Sequence, residues 1–245
     1  MRYAILSDIH GNLEALTAVL ERLRALAVDR YVSLGDVVGY NTNPNECLAL
    51  LKALGATSIQ GNHDAAGCGL EAPVNFNPAA RQAILWTQAH LAEEHARYLQ
   101  GLAPQADVDG AFLAVHGSIR DRDEYIFTER ALADNLALLE AGPGPARVCF
   151  FGHTHVQVAY WGQGRERGEA AEDPLVLKAD AVWMVNPGSV GQPRDGDPRA
   201  AFAVFDSDAR TVSFFRVPYD IERCARKILA ADLPRQLAER LHHGW

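Results

Sequence analysis

Five short polar clusters, each following a β-prone apolar stretch, constrain this chain more than any other feature. They read Asp8-Ile9-His10-Gly11-Asn12, Gly35-Asp36, Gly61-Asn62-His63-Asp64, His116-Gly117 and Gly152-His153-Thr154-His155. The preceding stretches are residues 3–6, 31–34, 57–60, 112–115 and 148–151. Runs of about 4 to 8 residues rich in Val, Ile and Phe, bounded by turn residues, suit buried strands. A strand followed by glycine and a metal-ligand side chain, five times over, places these groups at the carboxyl ends of strands. Open α/β sheets bind ligands at that edge. Five of the nine histidines lie in the clusters, beside Asp8, Asp36 and Asn62, which is the donor set of a two-metal hydrolytic site.

The segments between the clusters supply the rest of the architecture. Leu13, Leu16, Val19, Leu20, Leu23 and Leu26 recur at helical spacing and predict a helix over 12–27 before a strand at 30–34. Pro44 opens a second helix with Leu48, Leu51 and Leu54 on one face, and Gly55 ends it ahead of a strand at 56–60. This β-α-β-α-β start implies a parallel sheet with helices outside.

Between 65 and 103 the pattern becomes a loop marked by Gly67, Gly69, Pro73 and Pro78, then a helical stretch at 79–101, an excursion placed to cover the site. His90 and His95 lie in it five residues apart, a spacing that puts them on different helical faces and reads as packing or solvation. Two short strands around 106–116, a helix at 128–140 and a strand at 147–151 follow. Hairpin-like strands are expected at 156–161, 175–178, 182–186, 200–206 and 211–217. The charged stretch 162–174 reads as a solvent-exposed loop, and 221–241 as a helix interrupted near Pro234. With no linker or repeat, residues 1–245 are expected to form one domain.

Composition narrows the partners. With 23 Lys+Arg against 31 Asp+Glu, the net charge of −8 argues against long nucleic acid and against an anionic membrane surface. A phosphate substrate stays open, because bound divalent ions reverse the charge locally. Cys47, Cys68, Cys149 and Cys224 form no C-x-x-C pair and suggest neither a zinc ribbon nor a disulfide framework. The N-terminus leads straight into a strand, and no apolar stretch reaches the roughly 18 residues of a membrane span, so a cytoplasmic location is expected. Nothing in the pattern sets an oligomeric state.

Within the clusters, Asp8 and His10 are two residues apart, as are His153 and His155, so in regular strands each pair would share a face. A bridging carboxylate calls for an Asp with both oxygens free. Nitrogen and oxygen donors without thiolate suit Mn, Fe, Zn, Ni or Co without choosing among them. One cluster alone reads as a turn or a helix cap, but five in this order are hard to explain structurally, because buried carboxylates and imidazoles need partners.

In order and content, residues 8–155 resemble the calcineurin-like metallophosphoesterase superfamily. The resemblance implies a four-layer α/β/β/α fold with two central mixed sheets and two divalent metal ions. It implies that Asp8, His10 and His155 hold one ion, that Asn62, His116 and His153 hold the other, and that Asp36 bridges them. It gives His63 the catalytic role of contacting the scissile phosphate and assisting the leaving oxygen. The implied reaction is phosphoester hydrolysis by a hydroxide held between the ions.

One departure narrows the branch. Protein Ser/Thr phosphatases carry Gly-Asp-x-x-Asp-Arg-Gly at the second cluster, whereas this chain reads Gly35-Asp36-Val37-Val38-Gly39-Tyr40-Asn41. With the orienting Asp absent, His63 needs another partner, for which Asp64 is a candidate. The stretch Asn186-Pro187-Gly188-Ser189-Val190-Gly191-Gln192-Pro193-Arg194 instead resembles the bacterial and archaeal small phosphodiesterases, and reads equally well as a Pro/Gly turn.

A small phosphoester, with nucleotides among the candidates, is the expected partner. Phosphodiesterase is the leading reading, because the clusters carry no Arg or Lys to bind a doubly charged monoester. Only Arg194, Arg81 and Arg120 lie nearby in sequence. Asn12, Tyr40 and Arg194 are candidate substrate contacts, and Asn43 and Phe76 lie on loops placed to line the pocket. The alternatives are a phosphomonoesterase, a dinucleoside-polyphosphate hydrolase, or a non-catalytic scaffold of the same fold.

Overall fold

The alternation of apolar side chains along β1 (Arg2–Leu6) sets up two cores at once. Tyr3 and Ile5 point to one face of the strand, and Ala4 and Leu6 to the other. The computed structural model describes residues 1–142, 147–164 and 166–245. After β1 come α1 (Leu13–Arg24), β2 (Arg30–Ser33), α2 (Pro44–Ala53) and β3 (Thr57–Ser58). The excursion holds α3 (Asn62–Gly67), α4 (Pro78–His90) and α5 (Glu93–Gln100). Next are β4 (Gln105–Val108), β5 (Phe112–Val115), α6 (Glu129–Ala141) and β6 (Val148–Phe150). Then come β7 (Gln157–Gln163), β8 (Glu166–Ala170), β9 (Leu175–Val176), β10 (Val182–Pro187), β11 (Ala200–Asp206) and β12 (Thr211–Val217). Helices α7 (Ile221–Ala230) and α8 (Arg235–Glu239) complete the order, with a 3₁₀ turn at Arg240–His242.

The strands form two mixed sheets of six, ordered β3-β2-β1-β11-β12-β9 and β4-β5-β6-β10-β7-β8. In the first, β1, β2 and β3 are parallel and β11 joins β1 antiparallel. In the second, β5, β6 and β10 are parallel. The sheets face each other across Tyr3, Phe112, Phe150, Trp183 and Phe205. Phe112 sits at the centre, with ring centroids 5.2 Å from Tyr3, 5.0 Å from Phe150 and 5.7 Å from Phe205. Each such ring contributes about 1.5–3 kcal/mol when buried, so this core fixes how the sheets sit together. Ala4 and Leu6 pack under α1 and α2 against Leu16, Val19 and Leu48. Cys149 and Phe151 pack against Leu136 and Leu139 of α6. The result is four layers, two sheets flanked by helices, as the resemblance implies.

Three expectations change. The stretch 162–174 is not all loop: β7 runs on to Gln163, and β8 pairs with it antiparallel, with Gln163 opposite Glu166 and Gly162 opposite Arg167. Glu166, Arg167 and Glu169 are exposed or partly exposed on this edge strand, and such charges discourage further pairing. Arg165 lies outside the described residues. The helical stretch 79–101 is two helices, because Leu91 and Ala92 turn extended and break it. The third strand shrinks to Thr57–Ser58, and the third cluster instead opens α3. Among the described residues, no helix is long and apolar enough to cross a membrane.

Candidate metal centre

All five clusters meet at one edge, where the parallel strands of both sheets end. They do not meet by strand alternation. β1 ends at Leu6, and Asp8 and His10 both adopt positive φ, 53° and 50°. His153 and His155 repeat the pattern at 65° and 59°, and Asp36 lies at 54°. The two-residue spacing therefore works through left-handed turns rather than through the parity of a strand. Six of the ten non-glycine positive-φ positions among the described residues belong to this site, with Tyr40 the sixth at 59°. Strain of this kind costs on the order of 1–3 kcal/mol per residue and persists only where the surroundings impose it.

Close packing of the loops imposes it. A Cβ on Gly61 would lie 2.1 Å from Asp36 Oδ1, and one on Gly152 would lie 2.0 Å from Ser7 Oγ. These glycines make room for loop against loop.

The donor chemistry is one-sided. His10 Nδ1 donates to Val38 O at 3.0 Å, His155 Nδ1 to Gln192 O at 2.6 Å, and His116 Nδ1 to Leu34 O at 2.8 Å. A carbonyl can only accept, so each Nδ1 carries the hydrogen and each neutral ring presents a bare lone pair at Nε2. The Nε2 atoms of His10 and His155 face each other at 3.2 Å. Asp8 Oδ1 lies 3.2 Å from that of His155 and 3.9 Å from that of His10. Three acceptors this close repel unless a cation joins them. Histidine ligands of metal ions are held in this same way, by the second ring nitrogen.

The other half is built alike. His116 Nε2 lies 3.1 Å from Asn62 Oδ1 and 3.3 Å from Asp36 Oδ2, and His153 joins Asp36 and His116 within ligand reach. Asp36 Oδ2 is also 3.7 Å from His10 Nε2, so it stands between the two halves. Its other oxygen accepts the His63 N–H at 2.8 Å. The bridging candidate thus offers one oxygen to both halves, where the sequence reading asks for two free. In Asp8, likewise, Oδ2 is tied to Ser7 Oγ at 2.6 Å and to His153 N at 3.0 Å. Asp8 Oδ1, Asp36 Oδ2 and His153 Nε2 are buried and have no hydrogen-bond partner. Orphans of this kind are rare, and three converging on one centre fit bound divalent cations.

The charge states follow. Burial opposes ionisation of Asp8 and Asp36, but their imidazole neighbours hold both carboxyls below the usual range. Burial lowers His10 and His155 and takes His63 to about 4 and His153 to about 3. His116 is the exception. Burial would lower it, but the Asp36 charge beside it raises it to about 9, so a proton there supplies positive charge when no ion does.

His63 is held by shape. Its ring centroid lies 4.7 Å from His10, 4.5 Å from Tyr40 and 4.8 Å from Phe76, and a Cβ on Gly39 would lie 2.4 Å from its Nδ1. Asp64 is not its partner: that carboxylate accepts the N–H groups of Val37, Val38 and Gly61 and ties the second and third loops together. His63 also comes within ligand reach of His10 and Asp36, so proximity alone does not separate its role from theirs.

The segment 186–194 does approach the site and clamps it from behind. Asn186 Nδ2 donates to Gly152 O and Thr154 Oγ1, Ser189 Oγ donates to Asp8 O, and Gln192 O orients His155. Asn12 belongs to this clamp: its amide caps α1 at Ala15 N and donates to Gly191 O, so both of its ends are engaged. Tyr40 is 5 % exposed, and its hydroxyl meets Arg194 Nη2 at 3.3 Å. Arg120 pairs with Glu124 and Asp134, and Arg81 is exposed on α4. Asn43 is engaged by Glu46 and Lys227. Tyr125 lies in a charged loop whose lack of periodicity gives it no site role in the sequence. It stacks on His153 at 3.8 Å and 26°. A cavity of about 370 Å³ opens over the site, and Tyr40, His63, Phe76, Tyr125 and His153 are among its lining residues.

The sequence model of the calcineurin-like phosphoesterase superfamily domain matches residues 1–210. A crystal structure of a metallophosphoesterase from Sphaerobacter thermophilus is 41% identical, with 100% of this chain and 99% of that one covered and a TM-score of 0.83. An uncharacterized protein of Methanocaldococcus jannaschii is 35% identical, covering 98% of this chain and 97% of its own. A hypothetical protein of Pyrococcus horikoshii shares the fold at 22% identity and a TM-score of 0.81, covering 100% of this chain and 98% of that one.

The lowered histidines predict how the metal-free protein responds to acid. Unfolded, each titrates near 6.5, so between about 6.5 and 4 the unfolded chain binds more protons and stability falls with pH. Asp64, raised by burial and Asp36 to about 7, opposes this as one group against four. The contribution of His116 is lost as pH rises from 6.5 towards 9. After chelation, the melting temperature is expected to peak near pH 6.5–7 and drop steeply by pH 4.5. A flat or rising Tm on acidification would contradict these charge states.

Proposed function

The chain belongs to the calcineurin-like phosphoesterase superfamily, and on that premise we propose that it is a dinuclear metal-dependent phosphodiesterase. The observation that carries the metal dependence is the set of converging, partnerless acceptors Asp8 Oδ1, Asp36 Oδ2 and His153 Nε2. Asp8, His10 and His155 would hold one ion, Asn62, His116 and His153 the other, and Asp36 both. Such ions supply acidified water and neutralise phosphate charge, in either Mn, Fe, Zn, Ni or Co form.

The chain's own contribution is to orient and to hydrogen-bond. Burial takes His63 to about 4, so its ring is neutral at pH 7. It therefore acts as a neutral imidazole whose N–H donates to an oxygen of the phosphoester as negative charge develops there. The rings of His10, Tyr40 and Phe76 keep it in place. Room for a second ester arm favours a diester, since the cavity of about 370 Å³ is lined by Phe76 and Tyr125 as well as by His63. A single-charged diester also needs few cations beyond the metal pair.

Arg194 supports a second reading. It has no carboxylate partner among the described residues, and its Nε is buried without a hydrogen bond. A cation so placed would suit a substrate carrying a further phosphate, as in a dinucleoside polyphosphate, or the second charge of a monoester. The scaffold alternative is disfavoured because every ligand position holds a competent side chain.

Two experiments test this. With Mn²⁺, kcat/KM for bis(p-nitrophenyl) phosphate is expected to exceed that for p-nitrophenyl phosphate; a tenfold or larger advantage for the monoester, about 1.4 kcal/mol, would overturn the diester preference. His63→Ala is expected to slow turnover roughly 10²–10⁴-fold, less for good leaving groups, with the metal content retained. Loss of metal in that variant would make His63 a ligand instead.

A further inference from the structure

Two aromatic side chains stand exposed on the loop between β5 and α6, beside the metal centre. Phe127 is 66% exposed and Tyr125 45%. Single exposed apolar residues are ordinary on protein surfaces. These two are stacked on each other, with centroids 5.4 Å apart and ring planes within 7°. Tyr125 in turn stacks on His153, so a column of three rings runs from a candidate metal ligand out to solvent. Its inner end is on the wall of the 370 Å³ cavity, which Asn75 and Phe76 also line.

We propose that the Tyr125–Phe127 stack is a platform for a nucleobase, so that the ester arm beside the scissile phosphate is a nucleoside. This rests on the phosphoesterase reading of the same site and adds the class of substrate. Tyr125 is stacked between His153 and Phe127, so Phe127 at the outer end of the column has the face left open. Such a face binds bases by stacking whatever their identity, because every base has a π-face. The cavity is within the size range of small-ligand sites. The amide of Asn75, which forms no hydrogen bond among the described residues, brings both a donor and an acceptor suited to a base edge. A purely aliphatic ester arm would use neither the parallel rings nor the amide.

The test compares ligands that differ only by the base. Adenosine 5′-monophosphate and ribose 5-phosphate share the phosphate and the sugar, and calorimetry on the Mn²⁺-loaded protein reads their binding without requiring turnover. The nucleotide is expected to bind about tenfold or more tightly, in line with stacking on aromatic side chains. In Phe127→Ala that ratio is expected to fall towards one, and in Phe127→Trp to persist. Equal binding of the two ligands to the wild-type protein would overturn the platform, as it would if these rings served only to pack against protein. So would a Phe127→Ala variant that weakens both ligands equally, the mark of a structural residue. Turnover of bis(p-nitrophenyl) phosphate, measured alongside, bears on the phosphodiesterase reading alone, so the two can fail separately.

Discussion

The mutual repulsion of lone pairs governs this molecule's functional edge. Two imidazole nitrogens 3.2 Å apart, with a carboxylate oxygen at the same distance from one of them, form an arrangement that a protein interior normally avoids. Each ring is locked in this state by an N–H donated to a backbone carbonyl, so none can rotate to relieve its neighbour. On the other half, where Asp36 meets His116, a proton is drawn onto the imidazole instead. Both responses express the same deficit of positive charge.

The rest of the fold holds that deficit in place. The aromatic core around Phe112 sets the sheets face to face, so that strand ends from both converge. Left-handed turns at Asp8, His10, Asp36, His153 and His155 then aim the side chains inward. The Asp64 carboxylate and the Ser189 hydroxyl of segment 186–194 fasten these turns to one another through hydrogen bonds to backbone groups. Gly61 and Gly152 permit the contact distances. The strain in the turns is thus balanced by packing far outside the ligand set, and substitutions in the clamp are expected to act on the metal through geometry.

Much of this was legible in the sequence because its signals are local. The alternation in residues 3–6 and the leucine spacing of 13–26 follow directly from strand and helix periodicity, and the five clusters mark strand ends by their glycines. The seven candidate ligands come together as their order suggests. What was not legible depends on pairing and on contacts between distant segments. The strand Glu166–Ala170 is hidden by charge, since its partner β7 supplies the backbone bonds and its side chains stay in solvent. Asn12 looked like a substrate contact beside Asp8 and His10, but it caps a helix and holds a loop 179 residues away. Tyr125 stands in a charged loop without periodicity, and its place on His153 depends on how that loop folds rather than on a local pattern.

On the proposed function, the fold builds the acceptor cage in advance and two cations complete it. Chelated protein titrated with Mn²⁺, with bound ions counted by native mass spectrometry and the backbone followed by circular dichroism, tests it directly. Two ions per chain with an unchanged spectrum are predicted for the wild type, and a lower count for Asp36→Asn with its fold intact. A wild-type chain that binds one ion or none, or a spectrum that changes substantially on loading, would contradict it.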